Sequence, residues 1–177
     1  MDQRQTRYQS KEMISTNKDF MLSALDEAAL SAKRGEIPVG AVIVDPKTKT
    51  ILSSSGNRTY ELKDPTAHAE IIVIRRATHI AGSPRINGLH MFVTLEPCPM
   101  CAAAISFARL ERLYIGAYDV KGGGVFHGPK IFDQPSCFHR PEIITGYHEQ
   151  KSKKLLQNFF AQKRKSFEKI QKISYAR

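Results

Sequence analysis

Apolar residues recur at helical spacing from Phe20 through Leu22, Leu25, Ala28, Ala29 and Ala32, with Asn17 available as a cap and Gly35 placed to end the helix. The pattern then changes period. Val39 to Val44 is a β-branched run closed by Asp45-Pro46, and Thr50 to Ser53 returns after it, which predicts a hairpin. A second helix is expected from Thr66-Ala67-His68-Ala69-Glu70 onward, because Ile71, Ile72, Ile74, Ala77 and Ile80 follow and Gly82 lies beyond. Leu89 to Leu95 has strand composition, Met100 to Leu110 is Ala-rich and helical, and Arg112 to Ala117 is a strand again. Ser152 to Phe167 sets Leu155, Leu156, Phe159 and Phe160 against lysines and reads as an amphipathic helix docked along an edge. The order β, β, α, β, α, β predicts an α/β sandwich, with helices packed on a mixed sheet and joined through crossovers. Between Asp119 and Pro141 runs a Gly- and Pro-rich stretch; a loop that long in a compact domain points to function.

Composition narrows the class. A chain of 177 residues is the size of one domain that buries roughly 70% of its unfolded surface, so its core requires no disulfide staples. Three cysteines is an odd count, and no apolar run approaches the roughly 20 residues that span a bilayer. A soluble protein of the reducing cytoplasm is expected. Net charge is +10, and residues 151–177 hold nine basic side chains against one acidic, Glu168, so this end carries +8 of it. Such a segment suits a polyanion such as nucleic acid, or serves simply as a solvated face.

Cys98 and Cys101 stand three apart at an expected helix start, where both thiols reach one ion and the helix end favours thiolate. That spacing alone also serves a structural zinc knuckle or a redox pair. His68 and Glu70 are about 200° apart on a regular helix, so they share a site only over its N-terminal end. Read singly, His68 is a cap or core residue and Glu70 a favourable charge at the dipole. Read together, His68, Cys98 and Cys101 are three zinc ligands with a fourth position open, and an open position implies hydrolytic chemistry. Cys137, in the long loop, is the remaining cysteine.

His68-Ala69-Glu70 followed by Pro97-Cys98-Pro99-Met100-Cys101 resembles the zinc-dependent nucleoside deaminase signature. PVGAVIV (38–44), DPTAHAEI (64–71), TLEPCPMC (94–101) and LQNFFAQKR (156–164) are similar to the bacterial tRNA adenosine deaminases, which convert the wobble adenosine of an anticodon to inosine. The resemblance covers residues 18 to 165. It implies a three-layer α/β/α cytidine-deaminase-like sandwich with a central mixed sheet over 18–167, between a loose arm (1–17) and a basic tail (168–177). It implies one Zn²⁺ per subunit on His68, Cys98 and Cys101, with Glu70 as the catalytic proton carrier. Asn57 is expected to bond the target nucleoside and Val39 to line the base pocket. Asp119 and Lys121 are expected to border the entry, and Phe160 to pack near the splayed anticodon stem-loop. Homodimers are implied as well, with the helix from Pro99 to Leu110 a candidate interface. After Asp119 and Lys121 the chain departs from the familiar bacterial pattern, with GGGVFHG (122–128) and Cys137-Phe138-His139. Two other functions fit parts of the pattern: deamination of free guanine, cytosine or cytidine, and a zinc-stabilised RNA-binding module without catalysis.

Overall fold

The computed structural model describes residues 19–174, with side chains through Ser166. The expected arm at 1–17, with Asn17, lies outside the described residues, as do the side chains of the basic tail at 168–177. Helix α1 (Phe20–Lys33) is capped by Asp19, whose extended backbone lets Oδ1 accept from the Met21 N–H at 3.2 Å. Strands β1 (Gly40–Asp45) and β2 (Thr50–Gly56) form the expected hairpin, three residues longer on its return than Thr50 to Ser53. A four-residue helix α2 (Thr59–Leu62) follows, then α3 (Ala69–Ala81), β3 (His90–Leu95), α4 (Pro99–Ala108) and β4 (Arg112–Ala117). After a loop holding one 3₁₀ turn (Ile131–Asp133) come β5 (Glu142–Thr145) and α5 (Glu149–Ser174). Neither α2 nor β5 is foreshadowed by periodicity, since four residues are too few to show one. Helix α5 runs past the expected end at Phe167 as far as Ser174.

The sheet order is β2-β1-β3-β4-β5, antiparallel up to β3 and parallel from β3 to β5. Strand alternation divides the core in two. Ala41, Ile43, Met91, Val93, Leu113 and Ile115 face α3 and α4, while Val42, Val44, Phe92 and Tyr114 face α1 and α5. This is the expected three-layer α/β/α sandwich with a mixed sheet. On the α1 face Phe92 stacks on Tyr114 with centroids 4.2 Å apart and planes 3° apart, an arrangement worth roughly 0.5–1.5 kcal/mol beyond area burial. The long loop is anchored: Val125 and Phe132 are buried in the core cluster beneath α4. Helices α3 and α4 pack on the same sheet face and against each other, and their N-terminal ends meet.

Candidate active site

At that meeting point the local backbone explains why two residues on different helical faces converge. His68 is the N-cap of α3, extended at φ −72° and ψ 152°, and Glu70 sits in the first turn. Cys98 is the extended N-cap of α4, Pro99 occupies the first turn where no amide partner is lost, and Cys101 follows one turn in. The Cys98 and Cys101 sulfurs lie 3.6 and 3.5 Å from His68 Nδ1, and the three donor atoms fall within 4.8 Å of one another. Ligands at about 2.0 Å (nitrogen) and 2.3 Å (sulfur) around a tetrahedral zinc stand about 3.5 Å apart, so this set fits zinc. It is the sole such cluster among the described residues. Cys137 is not part of it; its sulfur lies 3.4 Å from Ser106 Oγ and 3.2 Å from the His139 carbonyl oxygen.

The electrostatics agree with a cation. The Cys101 thiol and His68 beside it hold Cys98 down to about 4, and Cys98 in turn raises His68. Cys101 is pushed up by the neighbouring Cys98 and by burial. Without a cation the pair favours a single thiolate; a divalent ion removes that competition and takes both as anions. Glu70 is buried, and its Oε2 has no hydrogen-bond partner among the described residues. Burial pushes its carboxyl up to about 7, so its charged form needs something the site must supply.

The cleft above this cluster has a volume of about 1070 Å³. Every residue proposed from sequence to meet substrate lines it: Val39, Asn57, Asp119, Lys121 and Phe160, together with His68, Glu70 and Cys98. Asn57 Oδ1 accepts from the Ala69 N–H at 2.9 Å, which orients the amide and leaves its nitrogen to meet a ligand. Val39 is both a core residue and part of the wall. Asp119 Oδ1 accepts from the Lys121 and Gly122 amides, so the carboxylate shapes its own turn. On α5 the two phenylalanines divide the work. Phe159 is 9% exposed and packs inward, whereas Phe160 is 43% exposed and faces the cleft.

Tyr60, Lys63, Tyr118 and Arg164 also line the cleft and were not anticipated from sequence, nor was Glu96. Glu96 is buried at the end of β3, two residues before Cys98. Burial works to raise its carboxyl, but His127 and the loop amides around it hold it below the ordinary carboxylate value. The signal for Glu96 was the carboxylate inside TLEPCPMC, which the metal reading passes over.

One histidine and two cysteines within reach of one ion, with a buried carboxylate beside them, match the arrangement of the zinc-dependent hydrolytic deaminases. Comparison with known proteins agrees. Residues 14–117 match the cytidine and deoxycytidylate deaminase zinc-binding region. A tRNA-specific adenosine deaminase of Agrobacterium fabrum is 52% identical over 145 residues, covering 82% of this chain and 94% of the relative. One from Aquifex aeolicus is 40% identical over 141 residues, 80% of this chain and 91% of the relative. A solved structure from studies of A-to-I editing by tRNA:A34 deaminases superposes with a TM-score of 0.75 at 52% identity, covering 77% of this chain and 98% of that one. The chain belongs to the cytidine and deoxycytidylate deaminase family and, within it, to the tRNA-specific adenosine deaminases.

Proposed function

We propose that this protein hydrolytically deaminates adenosine to inosine at the wobble position of a tRNA anticodon, releasing ammonia. The observation that carries the reading is the unpartnered Glu70 Oε2 beside His68, Cys98 and Cys101, inside a cleft rimmed by basic and aromatic side chains. Zinc on those three ligands supplies the Lewis acidity that makes water a nucleophile at neutral pH. Glu70 takes a proton from the attacking water and delivers it to N1 of adenine as the oxygen adds at C6. It then carries a second proton to the departing amine. Asn57 donates to the nucleoside and Val39 packs against the base. Asp119 and Lys121 border the entry, and Phe160 offers a ring face to an unstacked base.

The cleft favours RNA over a free base. Lys63, Lys121 and Arg164 along its walls supply the charge a phosphate backbone needs. We place the enzyme in the cytoplasm with tRNA, with one Zn²⁺ per subunit. Support for a homodimer comes from α4, which exposes Phe107 beside the Ser106–Cys137 contact, where the adjoining loop exposes Phe138. Incubating zinc-loaded protein with bulk tRNA and, separately, with adenosine, cytidine and guanine tests the reading. Inosine in tRNA alone supports it, and ammonia from a free base or nucleoside alone refutes it.

A further inference from the structure

Two carboxylates that bind neither metal nor reacting atoms are among the most buried groups of the protein: Glu36 is 1% exposed and Glu96 2%. Both spend their acceptor capacity on segments that line the cleft. Glu36 Oε1 accepts from the backbone N–H groups of Tyr60 (2.9 Å) and Glu61 (3.0 Å), and its Oε2 from the Thr59 hydroxyl (2.9 Å). That fixes α2, which presents Thr59, Tyr60 and Lys63 to the cleft.

Glu96 does the same for a loop. Its Oε1 accepts from the backbone N–H groups of Val125 (3.2 Å), Phe126 (2.8 Å) and His127 (3.1 Å). Its Oε2 accepts from the Asp119 N–H at 3.0 Å and lies 2.7 Å from His127 Nδ1. The loop closes so tightly over the carboxylate that a Cβ on Gly123 would stand 2.5 Å from both Glu96 Cδ and the Asp119 carbonyl oxygen. This second wall presents Tyr118, Asp119 and Lys121. The α2 wall leaves the sheet after β2 and the loop wall after β4, so β1 and β3, with the metal ligands of α4, lie between them.

We propose that Glu36 and Glu96 are positioning residues that set the spacing of the two cleft walls, and thereby the grip on nucleotides flanking the target base. The proposal rests on the reading of RNA as substrate. Contacts to flanking nucleotides are made alike before and during the chemical step, so loosening a wall raises KM and leaves kcat nearly untouched. A role in folding alone would lower the active, zinc-loaded fraction, and with it kcat per chain, at constant KM.

The two sites respond differently to an amide. At Glu36 a glutamine keeps the oxygen for the two amide N–H groups, and its NH₂ donates to the Thr59 hydroxyl, which reverses its role. At Glu96 both oxygens face backbone N–H groups that cannot reverse, so an NH₂ is repelled at one of them.

The test is steady-state deamination of an anticodon stem-loop RNA, normalised to zinc content, for the unaltered protein and for Glu36→Gln, Glu36→Ala and Glu96→Gln. We expect Glu36→Gln to stay within about twofold of the parent KM, and Glu36→Ala and Glu96→Gln to raise KM about tenfold or more, all with kcat per zinc within about threefold. Parent KM for Glu96→Gln, or loss of kcat and zinc at unchanged KM, overturns the proposal. Should Glu96→Gln not fold, the contrast between Glu36→Gln and Glu36→Ala decides it: equal KM values overturn it. Unaltered protein that leaves the stem-loop unmodified overturns the tRNA reading itself, and the inference with it.

Discussion

The backbone N–H of Ala69 donates to Oδ1 of Asn57 across 2.9 Å and, with the Arg58 N–H to Ala67 carbonyl bond (3.0 Å), ties the cleft wall to the helix end that carries His68 and Glu70. On the proposed function Asn57 has two separable duties, holding Ala69 and meeting the substrate. Asn57→Asp keeps the acceptor for Ala69 and replaces the donor facing substrate with a repelling oxygen. Zinc content and Tm should hold while kcat/KM falls about 30-fold or more; Asn57→Ala should also lose about 1 kcal/mol of stability. Thermal melts beside kinetics on stem-loop RNA separate the two effects.

Among the cysteines and His68, metal content should follow the donor set. His68→Ala, Cys98→Ser and Cys101→Ser should each lose most of the bound zinc, and Cys137→Ser should keep it. Cys137 faces Ser106 and the His139 carbonyl and lies outside the cluster. Zinc per chain, read by elemental analysis after dialysis, checks this directly.

Gly124 packs against the start of α4. A Cβ there would meet Pro99 N at 2.5 Å and Pro99 Cα at 2.6 Å, backbone atoms that cannot rotate away. Gly124→Ala should cost about 1–3 kcal/mol and weaken zinc retention, because relief of the clash shifts Cys98. An unchanged Tm and zinc content would show that the loop gives way freely.

The candidate metal set was legible in the sequence because His68, Cys98 and Cys101 carry unusual chemistry in a recognisable spacing, and two helix starts announce where they point. The sandwich was legible because its long elements each show a clean period. Glu36 and Glu96 were not, since a carboxylate in sequence reads as a solvated charge. Their partners are backbone amides 24 and 29 residues away, at Tyr60 and Val125. Strand β5 was missed because a four-residue EIIT owes its state to pairing with β4. The glycines at 122–124, open in sequence to reading as a flexible run, instead permit the loop to close on Glu96 and on Cys98-Pro99.

Acid should weaken the protein through His90. It is buried on β3 beside the Tyr114 ring, and burial, then Arg112 on the neighbouring strand, depresses its pKa; Glu111, Glu142 and Asp45 offset this in part. The folded state thus refuses a proton that the unfolded state accepts near its ordinary value of 6.5. The stability this contributes is complete above that value and is lost as pH falls through the lower folded pKa. Tm should drop between pH 7 and pH 5, and His90→Gln should flatten the slope; equal slopes would contradict it.

On the proposed function Glu70 moves the protons of a tRNA deamination without holding the metal. The measurement is inosine at the wobble position of tRNA treated with unaltered protein and with zinc-loaded Glu70→Gln. Inosine is expected at that position from the parent, with a rate reduced by about 10³-fold or more from the variant at equal zinc content. Parent-like inosine formation by Glu70→Gln, or no wobble inosine from the unaltered enzyme, would contradict it.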